Sequence, residues 1–272
     1  MAFGNLFSRR FWRFPCSKFI EKQNREQEPR ESMSIMTIKR RIEQLEEHRR
    51  RQQRKQRPGD NARVQEATRD TYTWATQYTK TYNEHWVEEG RPSPCEPFPD
   101  ANRYPHLEDL FGLLEAERIN WIEKSRDMMI SWGCVAFLTF HAMTVPRRGV
   151  LFQTQKEDKV VQLVDYAKCL YDSQPDWLKA AFPLNKSMRL QPAVALEFAH
   201  GGYVRGVPGG ADQIRSWHPW GYLNDESSFQ ADAGECHNAA LAVVKGKIIF
   251  NSSAGPSWYS DARRDIIRNA AE

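Results

Sequence analysis

Little in this chain suits a secreted scaffold, a zinc protein or a membrane protein. Its five cysteines, Cys16, Cys95, Cys134, Cys169 and Cys236, form no CxxC pair and no ligand spacing with the seven histidines. Neither a disulfide framework nor a zinc site is indicated, and a reducing cytosol fits best. The longest apolar stretch, Trp132 to Val145, runs for 14 residues and includes His141, against the roughly 20 that a bilayer demands. It reads as a buried helix, and no membrane partner is expected. The opening MAFGNLFSRRFWRF mixes basic and aromatic residues and lacks the separate apolar core and small-residue cleavage site of a signal peptide, so no export is expected. No internal repeat or long low-complexity tract is present.

What remains is the composition of a folded chain: 40% hydrophobic and 27% charged residues, with nine Trp and fourteen Phe, in 272 residues. That length holds one large domain, or one domain with a long appendage. The formal net charge is +4, but residues 1–60 carry sixteen Lys and Arg against eight Asp and Glu, which makes them +8 and leaves the remainder at −4. A basic arm on a mildly acidic body suggests an attachment that meets phosphate or an acidic partner, although charge runs are more often only solvated surface.

Three regions are expected. Residues 1–60 form a basic, partly disordered arm. Within it Ile35, Ile38, Ile42 and Leu45 have the spacing of one helix face, which predicts an amphipathic helix over about 35–57 that ends in a basic run and breaks at Pro58-Gly59-Asp60. Residues 61–94 form a helical segment, with Tyr72, Trp74, Tyr78, Tyr82 and Trp86 at roughly helical spacing, leading into the stiff proline-rich stretch Arg91 to Pro99. The body occupies 95–272. There, strand-like segments (118–124, 149–153, 195–198, 203–207, 220–224 and 247–251) are interleaved with helix-like ones (131–144 and 156–172), the alternation of an α/β fold with a mainly parallel sheet and crossover helices.

Three constellations in the body carry chemistry. The first runs from Glu123 through Lys124, Ser125, Arg126, Asp127, Met128, Met129, Ile130 and Ser131 to Trp132, at a strand-to-helix junction. Such junctions bind phosphate because a helix N-terminus offers free N–H groups and about half a positive charge. Lys124 and Arg126 are candidate cationic donors to phosphate, and Ser131 is a candidate Mg²⁺ ligand. The loop has no glycine, and Ile130 stands where a GxxxxGK[ST] loop has lysine. A non-glycine residue forced to positive φ costs roughly 1–2 kcal/mol, so this loop is expected to follow another path or to hold strain. A basic turn without a ligand fits the same residues. The second constellation is Trp220-Gly-Tyr-Leu-Asn-Asp225-Glu226, a short apolar strand closing on two carboxylates. Adjacent side chains at a strand end diverge, which suits Asp225 to Mg²⁺ and Glu226 to general-base work, although such pairs are common at strand ends. The third is Gly246-Lys-Ile-Ile-Phe-Asn251-Ser252-Ser253, where hydroxyls at a strand end are candidates to sense a γ-phosphate, with an ordinary polar turn as the plainer reading.

Taken in order, these segments resemble the ATPase domain of phage terminase large subunits across roughly residues 95–260. Lys124 to Trp132 resembles that family's deviant Walker A loop, Val150 to Asp158 the next strand and loop, Glu197 to Ser216 the hairpin and loop before Walker B, Leu223 to Glu226 Walker B, and Phe250 to Ala254 the coupling motif. The resemblance implies a RecA-like P-loop NTPase fold, ATP with Mg²⁺, and catalytic roles for Glu226 and Arg126. It further implies nucleotide binding by Lys124 to Trp132, Mg²⁺ held by Ser131 and Asp225, and coupling through Ser252 and Ser253. It also implies packaging of double-stranded viral DNA by a homo-oligomeric ring, with a portal protein and a small terminase subunit as partners, in the cytoplasm of an infected bacterium and transiently at the procapsid portal. Asn224 departs from the pattern, being polar where the family has an apolar residue. Family members continue into a nuclease, whereas this chain stops at Glu272, so no nuclease residue is carried over. A helicase-like ATPase and a non-catalytic assembly module are the alternatives, and Arg205 and Arg215 are left without a role.

Overall fold

The computed structural model describes residues 58–83, 86–186 and 192–270. Residues 1–57 of the basic arm, with its expected helix at about 35–57, lie outside the described residues. The helix that Pro58-Gly59-Asp60 is expected to end lies outside the described residues; Pro58 itself opens α1 (Pro58–Ala67), a position where proline's missing N–H costs nothing because that donor has no helical partner anyway. Helix α2 (Thr71–Tyr78) follows, and the Asp70 side chain caps it by accepting from the Thr73 N–H.

The helical spacing expected over 61–90 does not continue past Tyr78. Lys80–Tyr82 is strand β1, paired antiparallel with β2 (Cys95–Pro97) inside the proline-rich stretch. That stretch is extended as expected, but its strand pairing and its buried Phe98 make it a wall rather than a free linker. The compact unit begins at Pro58, not at 95. The physical reason is Trp74: it is fully buried, and its indole N–H donates to Gln174 Oε1 at 2.9 Å.

The central sheet contains β3 (Ile119–Lys124), β4 (Gly149–Gln153), β5 (Ala195–Glu197), β6 (Tyr203–Val207), β7 (Gly221–Asp225) and β8 (Lys247–Ser253), in the order β3-β8-β7-β4-β6-β5. Only the β5–β6 pairing is antiparallel. The inner strands are apolar on both faces, and their alternation divides the core in two. Val150, Phe152, Leu223 and Ile249 belong to one cluster, while Leu151, Tyr222, Ile248 and Phe250 belong to the other. A strand buried on both sides needs a helical layer on each. The first layer is α4 (Ile130–Thr144) and α5 (Glu157–Asp172), with α3 (His106–Ala116) and α6 (Asp176–Ala181) beyond; the second is α7 (Ala211–Arg215), α8 (Ala233–Val243) and α9 (Trp258–Ala270).

Helix α4 is apolar around its whole circumference and buried from Ile130 through Met143 except at Ser131, which fits a helix enclosed between sheet and outer helices. It rests on the start of β7 because Gly221 has no side chain: a Cβ there would lie 2.6 Å from Leu138 Cδ2. No helix among the described residues is long and apolar enough to cross a membrane.

Candidate functional site

Strand order creates the site. Strand β8 lies between β3 and β7, with Lys124 in register with Ser253 and Asn251 in register with Asp225. The C-terminal ends of three parallel strands therefore bring an ammonium, two hydroxyls and two carboxylates to one edge, where open α/β sheets bind ligands.

Lys124 Nζ is 2.7 Å from Glu226 Oε1 and 3.9 Å from Asp225 Oδ1. The other Glu226 oxygen accepts from Ser253 Oγ at 3.1 Å, with the Ser253 N–H at 3.4 Å and Ser252 Oγ at 3.5 Å. Asp225 turns toward α4, where Ser131 Oγ sits 3.0 and 3.1 Å from its two oxygens. The adjacent carboxylates thus turn to different partners, Asp225 to Ser131 and Glu226 to Lys124 and Ser253.

Their environments push them apart in acidity. Burial raises the Asp225 pKa, and the Lys124 charge only partly offsets that. Burial also acts to raise Glu226, but there the hydrogen bond and charge of Lys124 and the Ser253 donors outweigh it, and its pKa falls below the ordinary value. Glu226 is the more open of the two, its side chain 33% exposed against 11% for Asp225.

The phosphate-type loop takes the strained path its composition predicts. Asp127 and Met129 both adopt left-handed backbone, at φ 60° and 58°, and so does Glu226 at 56°. Such residues persist where surrounding structure over-determines them, and they gather at functional sites. Two anchors are visible on the loop: His106 Nε2 donates to the Met128 carbonyl at 2.8 Å, and Met128 and Met129 pack against the first core cluster.

Lys124, Ser131, Asp225, Glu226, Ser252 and Ser253 are accordingly in one place. Ser125, Arg126 and Asp127 are exposed on the loop, Ile130 is buried in the core, and Trp132 is buried with its ring stacked on Tyr166 at 3.9 Å. Arg126 lines a cleft of about 640 Å³ together with Ser131, Glu226, Lys156 and Lys159. On the other side of the loop a cavity of about 440 Å³ is walled by Tyr82, Arg91, Arg103, Tyr104 and Trp132. Lys156 and Lys159 at the start of α5, and the cavity walls from the β1–β2 hairpin, carry no local pattern that sequence reading could have caught. Arg205 and Arg215 stand elsewhere: the Arg205 guanidinium lies over the Trp217 ring at 4.6 Å, and Arg215 pairs with Asp212 at 2.6 Å.

The donors suit a nucleotide-bound magnesium. One hydroxyl and one carboxylate, both oxygen ligands, already touch, and Mg²⁺ commonly takes one or two protein carboxylates alongside phosphate oxygens rather than a full protein cage. No group of three or more His, Cys, Asp or Glu side chains able to hold a metal forms among the described residues. Two buried polar atoms there lack a partner, Ser228 Oγ beside the Glu226 turn and Asn251 Oδ1 on the strand between the carboxylates and the loop.

A mostly parallel α/β sheet with helices on both faces is the RecA-like fold. A solved phage terminase is similar to the chain in that fold. The large terminase of bacteriophage HK97 superposes with a TM-score of 0.50 at 11% identity, over 75% of this chain and 42% of that one. The chain thus spans less than half the length of that terminase. The Thermus phage P74-26 large terminase ATPase domain matches with a TM-score of 0.42 at 9% identity, covering 67% of this chain and 73% of that one. A mutant of the same P74-26 domain matches with a TM-score of 0.40, also at 9% identity, over 67% and 74% of the two chains. The likeness is one of fold. No family model matches the sequence, and no curated protein sequence matches it either.

Proposed function

We propose that this chain binds ATP with Mg²⁺ and hydrolyses it to drive double-stranded viral DNA into a procapsid, as the motor domain of a terminase large subunit. One observation carries the reading: Lys124 at the end of β3 meets Glu226 across the end of β8, while the neighbouring Asp225 meets Ser131 in the first turn of α4, at the mouth of the loop that opens that helix.

In this reading the loop N–H groups at the start of α4 and the Lys124 and Arg126 side chains cradle the β and γ phosphates. Ser131 and Asp225 hold the magnesium, which when bound supplies charge neutralisation on the phosphate oxygens. Glu226 takes a proton from water as its oxygen bonds to the γ-phosphorus and the bond to ADP breaks. Lys124 holds Glu226 in a weakly basic form; once its ammonium is engaged by phosphate, that hold is released and Glu226 becomes the stronger base. Ser252 and Ser253, bonded to the same carboxylate, couple its state to β8 and the segment beyond it. The base and ribose occupy the cavity walled by Tyr82, Arg91 and Tyr104. A homo-oligomeric ring, a portal protein and a small terminase subunit complete the assembly, in the cytoplasm of the infected host.

The test is steady-state ATP hydrolysis by the purified chain with and without double-stranded DNA, beside Glu226→Gln. DNA-stimulated turnover that the variant abolishes, with ATP binding kept, supports the motor; turnover unchanged in the variant removes Glu226 from its role. A glycine-free loop with two left-handed residues favours a second reading, an assembly module that binds partners without turnover, and ATP bound but never hydrolysed is its signature. Strand separation on forked DNA would instead mark a helicase-like ATPase.

A further inference from the structure

Asn224, the polar residue that departs from the apolar pattern before the two carboxylates, is fully buried, as are Gln153, Tyr222 and Ser227, with Gln230 only 6% exposed. A lone buried amide costs stability. Here every member is satisfied. The Tyr222 hydroxyl donates to Gln153 Oε1 at 2.5 Å and accepts from Asn224 Nδ2 at 2.8 Å. Asn224 Nδ2 also reaches Gln230 Oε1 at 3.3 Å, while Gln230 Nε2 donates to Asn224 Oδ1 at 2.6 Å and to the Asp225 carbonyl at 2.9 Å. Ser227 Oγ closes the turn on the Asn224 carbonyl at 2.9 Å and its side-chain oxygen at 2.8 Å.

Only one orientation of each amide satisfies this set. Flipping Asn224 or Gln230 would turn donors toward donors, so the network has a single arrangement and fixes what it touches. Burial raises the Tyr222 hydroxyl well above its ordinary pKa, which keeps it a donor.

The network has two ends. At one end it grips the carbonyls of Asn224 and Asp225 immediately before Glu226, whose left-handed backbone (φ 56°) needs such support. At the other, Gln153 Nε2 donates to the carbonyls of Pro208 at 2.6 Å and Gly210 at 3.1 Å, in the loop that leads into α7. We propose that Gln153, Tyr222, Asn224 and Gln230 are positioning residues that hold Glu226 and tie its backbone to the Pro208–Gly210 loop. The inference rests on the reading of Glu226 as the base. A displacement of Glu226 is transmitted to that surface loop, and a partner that moves the loop acts back on Glu226.

The experiment uses the full chain carrying Tyr222→Phe, which removes one oxygen and leaves Gln153 Oε1 and Asn224 Nδ2 without it. Tyr259→Phe is the control, since it deletes another buried hydroxyl donor, bonded to the Ile122 carbonyl at 2.6 Å outside the network. Amide exchange and ATP turnover are measured on both. Tyr222→Phe is expected to speed exchange in the 209–212 and 226–230 segments together. It is also expected to lower kcat roughly ten- to hundredfold with KM within about twofold, while Tyr259→Phe changes neither segment nor kcat. Unchanged exchange at either segment overturns the tie. An unchanged kcat in Tyr222→Phe, or an equal loss in Tyr259→Phe, overturns the positioning of Glu226. If the wild type hydrolyses no ATP, the motor reading fails on its own account and the exchange result still decides the tie.

Discussion

Lys124 holds Glu226 through one oxygen at 2.7 Å while Ser253 holds the other at 3.1 Å, so a single carboxylate joins β3 to β8 beside it. Two residues further along the loop from Lys124, Arg126 is exposed to the cleft. The division of labour that follows has an ammonium committed to an acid inside the site and a guanidinium free to reach into the opening.

This pairing makes a pH prediction whose sign differs between the two acids. Glu226 is lowered by Lys124 and Ser253, so its stabilising contribution is present above its unfolded value, about 4.3, and is lost as pH falls through the folded value. Asp225 is raised by burial, so its ionised form opposes folding above the folded value, and that cost vanishes in acid. In buffer with a chelator and no nucleotide, Glu226→Gln should flatten the loss of Tm between about pH 5 and 3 relative to wild type. Asp225→Asn should raise Tm at pH 7 and converge on wild type near pH 3. Thermal melts across that range check both, and parallel curves for all three proteins would refute the environments described for the two acids.

Ser131 touches both oxygens of Asp225. Ser131→Ala removes one of the two proposed magnesium ligands and the donor that steadies the other. ATP affinity in Mg²⁺ should fall about tenfold or more, while affinity in EDTA stays within about twofold, since a charge-assisted hydrogen bond or metal contact of this kind is worth roughly 1.5–3 kcal/mol. Calorimetric titration with and without the metal separates the cases. Equal loss in both would mean that the hydroxyl serves the loop rather than the metal.

Strand and helix periods were readable wherever one element faces one environment throughout. The apolar run from Trp132 to Val145 is the buried α4, and β4, β6 and β7 fall within a residue of their expected bounds because inner strands of a covered sheet are apolar on both faces. The acids, the Lys124 loop and the hydroxyls of β8 stand together because they occupy strand ends whose neighbours follow from the sheet order. The β1–β2 hairpin was not readable: strands of three residues carry no period, and proline in β2 masks its pairing. Asn224 looked like a departure because its partners, Tyr222 and Gln230, lie outside any local motif and meet it only in the fold.

The loop's backbone predicts the order of a substitution pair. Met129 caps α4 with left-handed backbone, where every side chain beyond glycine is strained. Met129→Ala and Met129→Gly lose the same packing against the core, but only glycine also relieves φ. The glycine variant should therefore be the more stable by about 1 kcal/mol, the left-handed φ adding to the ordinary preference for glycine over alanine at an N-cap. Urea denaturation of the two variants measures the difference directly, and an alanine variant at least as stable would show that Met129 is not strained.

Trp74 tests where the folding unit begins. Its ring is fully buried, meets Phe140 of α4 at 5.6 Å between centroids, and donates to Gln174 at the end of α5. Trp74→Ala leaves a cavity between α2 and the first layer and strands the Gln174 amide oxygen, which should cost about 3–5 kcal/mol. Trp74→Phe, which keeps most of the volume but not the donor, should cost about 1–3 kcal/mol. A chain starting at residue 95 lacks this seat, along with the buried Ala67 and Ala75, and exposes the apolar surface of α4 that α2 covers. It should aggregate or melt well below the chain that starts at 58. Equal Tm for the two truncations would put the beginning of the domain at the proline-rich stretch after all, with α1 and α2 as a dispensable cover.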